Sequence, residues 1–178
     1  YYTDDNGNYY TDDSVVLPLS LDSVKQWLKL DVSDTSQDDL LTELIQTASR
    51  FFEFYTNRIL INKIVRYTED LFYQIYEFTI GNFQNLLYFR YLNRDNEWTD
   101  VPADLYSITS EVGNWRLVFN NFSLVPQDLS ISKPYERLVI FFVAGYGETG
   151  NLIPADIQTG LLNHIAMLYE NRGDCNLC

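Results

Sequence analysis

Four small constellations in this chain have the residue types and spacing for chemistry. The first is Gly145-x-Gly147-x-x-Gly150, which follows the apolar run 138–144 and precedes a helical stretch. That order matches a dinucleotide-binding fingerprint, in which glycines bring the backbone close to a pyrophosphate. The fingerprint needs its third glycine inside the helix, a following strand and an acid about 20 residues on at a strand end. Here Pro154 sets the helix start beyond Gly150, and the periodic segment 157–172 consumes most of the remaining chain. The acid at the right distance, Glu170, falls on that helix. A nucleotide-binding enzyme is therefore not expected.

The other three constellations are weaker. His164 is the only histidine, and it lies between Leu161 and Ile165 on a helix, so a packed or half-exposed histidine is expected. Without a second histidine or a G-x-S-x-G elbow, a Ser-His-Asp site has no starting point. Cys175 and Cys178 have C-x-x-C spacing, but no second pair accompanies them, and two ligands do not make a zinc site. The aspartates of 1–13 and of 31–35 hint at calcium loops, yet neither run has glycine at the sixth position or a bidentate acid at the twelfth. No catalytic, cofactor or metal residue is assigned.

Composition narrows the partners. Twenty-five acids against 12 Lys and Arg give a net charge of −13, the wrong sign for gripping nucleic acid. Residues 1–43 alone hold ten of those acids and two lysines. An acidic surface suits a wall along which DNA slides without sticking, and it equally serves solubility. No apolar run reaches the roughly 18–20 residues that span a bilayer, so no membrane partner is expected. The two cysteines offer no disulfide framework, which fits a reducing compartment. No signal peptide opens the chain and no initiating methionine is present, from which trimming or processing of the N-terminus is expected.

The elements that would position any site follow from period and punctuation. Residues 1–14 form an extended Tyr/Asp arm with a direct repeat, YYTDD at 1–5 and at 9–13. Such an arm cannot bury a core alone, and Tyr1, Tyr2, Tyr9 and Tyr10 are expected to lie against a neighbouring subunit or ring. Residues 15–60 read as a helical hairpin. Ser20 caps a helix over 21–29 that buries Leu21, Val24, Trp27 and Leu28. After the turn 31–35, Ser36 and Asp39 form a capping-box-like start to a long helix ending near Arg58. That helix is expected to bury Leu41, Leu44, Ile45, Ala48, Phe51, Phe52 and Tyr55.

From residue 61 to 144 the texture turns β-branched and aromatic, with strands expected near 63–69, 73–80, 86–93, 97–101, 105–109, 115–120 and 137–144. A glycine loop and helix (145–172) and a short tail (173–178) complete the chain. In that helix Ile157, Leu161, Leu162, Ile165, Leu168 and Tyr169 make one wide apolar stripe. The fold class is α+β: an N-terminal helical hairpin and a C-terminal helix packed together, with a small antiparallel sheet or sandwich inserted between them.

The combination of AGYG at 144–147, IPADIQ at 153–158 and YENR at 169–172 resembles the head–tail connector (adaptor, head-completion) proteins of tailed bacteriophages. Upstream, Leu17-Pro18-Leu19-Ser20-Leu21-Asp22 with Val24, Leu28, Leu30 and Asp31 resembles that family's opening pattern. Asp38-Asp39-Leu40-Leu41 running to Tyr55, Thr56, Arg58 and Leu60 resembles its second helix. Asn96-Glu97-Trp98-Thr99, Pro102-Ala103-Asp104 and Tyr106 resemble its central hairpin. The resemblance spans about 15–172 and departs at Gly160, where the family usually has alanine, and in the N-terminal arm.

It implies a non-enzymatic virion protein in a dodecameric ring at the neck, assembled in the host cytoplasm. Its partners would be the portal protein above and a stopper or tail-completion protein below, with genome DNA passing through the ring. The C-terminal helix and tail would make the portal contact, through Tyr169, Arg172, Gly173 and Cys178. Asp34, Asp38 and Asp39 are the acids expected to face the channel. The competing reading is an acidic, β-rich carbohydrate-binding or adhesin module, which helices at both ends of the β segment disfavour.

Overall fold

The computed structural model describes residues 2–3, 9–10, 16–79, 82–111 and 114–172. In chain order the elements are strands β1 (Tyr2–Thr3) and β2 (Tyr9–Tyr10), helices α1 (Leu21–Trp27) and α2 (Asp38–Thr56), and strands β3 (Lys63–Glu69), β4 (Ile75–Phe78), β5 (Phe83–Leu92), β6 (Trp98–Asp100), β7 (Tyr106–Glu111), β8 (Asn114–Phe119) and β9 (Leu138–Ala144). Helix α3 (Ala155–Glu170) closes the described chain, and short 3-10 turns precede β7, follow β8 and precede α3. The class is α+β, and a strand lies at each position expected from the sequence. The two halves of the arm repeat pair antiparallel, Tyr2 opposite Tyr10 and Thr3 opposite Tyr9.

The fold divides into a β unit, Lys63–Gly145 together with Tyr1–Thr11, and a helical unit, Asp12–Asn62 together with Tyr146–Cys178. The β unit holds a four-stranded antiparallel sheet in the order β3-β9-β5-β6 and a three-stranded one in the order β4-β8-β7. Alternation assigns the buried faces: Tyr76 and Phe78 on β4 point inward, as do Trp115, Leu117 and Phe119 on β8. β9 is paired on both edges, by β3 and β5, and six of its seven residues are buried, which is why it reads as a continuous apolar run. Trp115 joins the two sheets. It stacks on Phe78 at 3.7 Å between ring centroids and on Phe83 at 4.2 Å, and it meets Phe142 edge-on at 4.7 Å. A second aromatic group of Phe72, Tyr76, Phe89, Tyr106 and Phe119 fills the rest of the interior.

In the helical unit, Ser20 caps α1 as the sequence suggests, its Oγ accepting the Ser23 amide at 3.2 Å. The start of α2 differs from the expectation. Gln37, not Ser36, is its N-cap, and no side chain caps it. The Ser36 amide is already donated to Asp34 Oδ1 at 2.9 Å, so the turn before the helix takes the residue that a capping box needed. Helix α2 ends at Asn57, whose φ of 53° is a left-handed stop.

Val24 of α1, Leu41, Ile45 and Ala48 of α2, and Leu161 and Ile165 of α3 form one core, closed by Leu19, Leu60 and Ile153. Each large aliphatic side chain buried there contributes about 1.5–3 kcal/mol. Three expected core residues are not in it. Trp27 at the end of α1 is exposed, and so are Phe51 and Tyr55 on α2, whose buried positions are Leu41, Ile45 and Ala48.

Each glycine of the 145–150 loop has a local reason. Gly145 leaves β9 with a φ of 149°, a conformation that L side chains rarely adopt. A Cβ on Gly150 would lie 2.2 Å from the Pro18 carbonyl oxygen, and one on Gly147 would meet the Leu152 side chain. The frame of a dinucleotide site is not built, since β9 has antiparallel neighbours on both sides and α3 begins only after Pro154.

Candidate docking surfaces

The C-terminal end of α3 brings together two of the residues singled out for a partner. Tyr169 is half-buried against the helical core, and its hydroxyl donates to Gln37 Oε1 at 2.7 Å, tying the last turn of α3 to the start of α2. Arg172 lies over the Tyr169 ring with its guanidinium 4.0 Å from the centroid, a cation–π contact worth about 0.5–1 kcal/mol at an exposed site. The Tyr169 ring and hydroxyl are thus committed to the chain's own fold, while Arg172 is exposed. Gly173 and Cys178 lie outside the described residues, as does Tyr1. Of Tyr2, Tyr9 and Tyr10 only the backbone is described. Gly160 is mid-helix and exposed, and among the described residues nothing beyond its own stretch of helix lies within 4 Å of where a Cβ would stand.

The acidic turn between α1 and α2 is organised by a lysine that sequence reasoning passed over. Lys25 is only 3 % exposed. Its Nζ donates to the carbonyls of Val32 (3.2 Å) and Asp34 (2.7 Å) and pairs with Asp38 Oδ1 at 2.6 Å. Of the three expected channel acids, Asp38 therefore has an internal partner, while Asp34 and Asp39 are exposed. Hydrogen bonds from the Ser33 hydroxyl and amide hold the Asp31 carboxyl below its ordinary range, and the Ser36 amide does the same for Asp34. Both acids stay ionised well into acidic solution, so the turn presents fixed negative charge. Asp39, in the first turn of α2, is favoured there by the helix dipole.

Two further features were not legible as sites. A cleft of about 450 Å³ is lined by residues 16–21, Ser23, residues 149–151 and Gln158, with Gly150 and Pro18 among them in close approach. At the C-terminal end of α2, Phe51, Phe54 and Tyr55 point outward, and Phe51 meets His164 edge-on at 4.9 Å between centroids. His164 is thus a half-buried aromatic packing partner. No group of three or more His, Cys, Asp or Glu that could hold a metal occurs among the described residues. No helix among them is long and apolar enough to cross a membrane.

A family model described as phage gp6-like head–tail connector protein matches residues 18–113, more than half of the chain. Among solved structures, a chain in the virion of a native gene transfer agent particle is similar with a TM-score of 0.74 at 19% identity, covering 92% of this chain and 85% of that one. A chain in the neck of the native particle, computed with C12 symmetry, gives 0.71 at 18% identity, covering 93% and 83%. A chain in the neck of the empty particle, computed with C6 symmetry, gives 0.71 at 18% identity, covering 88% and 80%. At such identities the likeness is one of fold. No curated protein sequence matches the chain.

Proposed function

Because this chain belongs to the phage gp6-like head–tail connector family, we propose that it is a structural virion protein that forms an adaptor ring at the head–tail junction. The ring joins the portal to a stopper or tail-completion protein, prolongs the DNA channel and performs no chemistry. The observation that carries this reading is the agreement between the family match over 18–113 and a fold shared along nearly the whole chain with neck and virion components, one of them solved with C12 symmetry. The C12 symmetry of that neck supports a dodecamer as the ring. The net charge of −13 fits a wall that repels phosphate, with the exposed carboxylates of Asp34 and Asp39 toward the axis.

The portal contact is assigned to the end of α3 and the tail beyond it. Tyr169 and Arg172 are residue types favoured at interface hot spots, and their mutual stacking presents the guanidinium without a search through rotamers. Native mass spectrometry of the chain mixed with its cognate portal tests the reading, with a truncation after Asn171 as the second arm. The expected result is a portal complex containing a ring of this chain, and loss of that complex on truncation while circular dichroism still reports the native fold. A monomer that never joins portal overturns the adaptor reading. A folded truncation that binds portal as well as the full chain moves the contact elsewhere.

A further inference from the structure

The helical unit carries two solvent-facing features of opposite shape and opposite charge. The convex one is the C-terminal end of α2, where Phe54 is 90 % exposed, Tyr55 80 % and Phe51 57 %. The Phe51 and Tyr55 rings lie parallel with centroids 6.1 Å apart, and His164 braces Phe51 from the side, so the group is held in place without burial. Arg50 lies one turn before Phe54, and Arg58 follows just past the helix end. Glu53, between them in the chain, accepts the Leu60 amide at 2.9 Å. The patch is aromatic, with the exposed cation of Arg50 beside it, on a strongly acidic protein.

The concave feature is the cleft along residues 16–23 and 149–151. Val16, Leu17 and Leu21 give it apolar walls, and no Lys or Arg lines it. Asp22, Glu148 and Asp156, all exposed, flank the lining segments in the chain. A cyclic ring of more than two copies cannot use one self-complementary patch; it needs two different surfaces that fit each other head to tail. An aromatic, cationic knob and an acid-flanked cleft on the same unit form such a pair.

We propose that Phe54 of one copy seats in the 16–23/149–151 cleft of the next, with exposed Arg50 directed at Asp22, Glu148 and Asp156. This rests on the adaptor-ring reading and specifies its subunit contact. Area supports a second copy as occupant. Three rings of roughly 150–250 Å² each supply a large share of the roughly 800 Å² per partner that a stable interface buries. The chain's own N-terminal arm is a poor occupant, because Asp4, Asp5, Asp12 and Asp13 would face the cleft's acids.

The test is oxidative cross-linking of the full chain, alone and bound to portal, in a background carrying Cys175→Ser and Cys178→Ser. The doubly substituted Phe54→Cys, Asn151→Cys chain should give a ladder of covalent dimers, trimers and higher species, while each single substitution stays monomeric. Adding Arg50→Glu should reduce the ladder roughly tenfold, and Glu148→Arg on top of it should restore the yield. A double-cysteine chain that keeps its circular dichroism and joins portal rings without a ladder overturns the contact and leaves the adaptor function standing. Dimers from Phe54→Cys alone also overturn it, since they indicate a face-to-face contact. A ladder supports the contact, and portal binding of the parent chain with Cys175 and Cys178 intact, measured beside it, tests the adaptor function: its absence there counts against that function alone.

Discussion

Replacing Lys25 by methionine isolates the polar knot that holds the α1–α2 turn. Methionine keeps the apolar stem that lies in the core and removes only the charge. The loss is one ion pair at 2.6 Å and two hydrogen bonds to carbonyls, at a side chain 4% exposed. Breaking a buried pair from one side costs about 3–5 kcal/mol. Asp38 keeps 28% of its side chain in water, and so recovers part of its hydration. A destabilisation of about 2–3 kcal/mol is expected, or a fall in Tm of about 5–10 °C for a chain of this length. Urea unfolding followed by circular dichroism measures it. Asp38→Asn in the Lys25→Met background should recover about 1 kcal/mol, since it removes the stranded charge. Stability of Lys25→Met within about 0.5 kcal/mol of the parent, or full additivity of the two substitutions, would refute the claim that the turn depends on this lysine.

Two other outcomes are expected. Trp115→Ala removes the ring clamped between Phe78 and Phe83 and should cost about 3–5 kcal/mol in the same unfolding experiment, with the near-ultraviolet signal of the stacked rings lost. Tyr67 has its phenol pushed up to about 12 from 10.0, first by burial and then by its hydrogen bond to Glu69. The unfolded chain releases that proton near its ordinary value, so the contribution is complete below about pH 10 and lost as pH rises to about 12. Unfolding titrations across that window should therefore show stability falling with pH, and Tyr67→Phe should flatten the fall; an unchanged slope would remove Tyr67 from the account.

Much of this was legible because period and residue type agreed. The β-branched and aromatic runs from Lys63 onward became strands, and the spacing of Leu41, Ile45 and Ala48 with Leu161 and Ile165 marked the faces that meet in the helical core. The failures have a common physical origin. Periodicity reports that Phe51 and Tyr55 share an apolar side of α2, yet it cannot distinguish a side covered by the same chain from one left for another molecule. Lys25 looked like an ordinary solvated lysine because its partners, Val32, Asp34 and Asp38, reach it only through a turn closed by three-dimensional packing. The cleft was invisible for the same reason. Pro18 and Gly150 are distant in sequence, and only their close approach brings its two lining segments together. Ser36 failed as a cap because Asp34 competed for its amide, and propensity rules carry no account of that competition.

The insertion of the β unit into the helical one has a consequence for synthesis. Helices α1 and α2 emerge from the ribosome with Val24, Leu41 and Ile45 uncovered, and their third partner, α3, follows only after the whole of Lys63–Gly145 has been made. The β insert begins and ends at paired residues, Lys63 opposite Ala144. Beside them the Asn62 amide donates to the Gly147 carbonyl at 2.9 Å, and the Tyr146 amide to the Leu60 carbonyl at 3.2 Å. Once β3 and β9 zip together, α3 is delivered to the waiting hairpin by a closed loop, and most of the entropy of that long-range encounter has already been lost within the insert. Completion of the helical unit thereby waits until the insert has been made and closed, and a nascent chain stalled within the insert leaves an apolar hairpin for chaperones to hold.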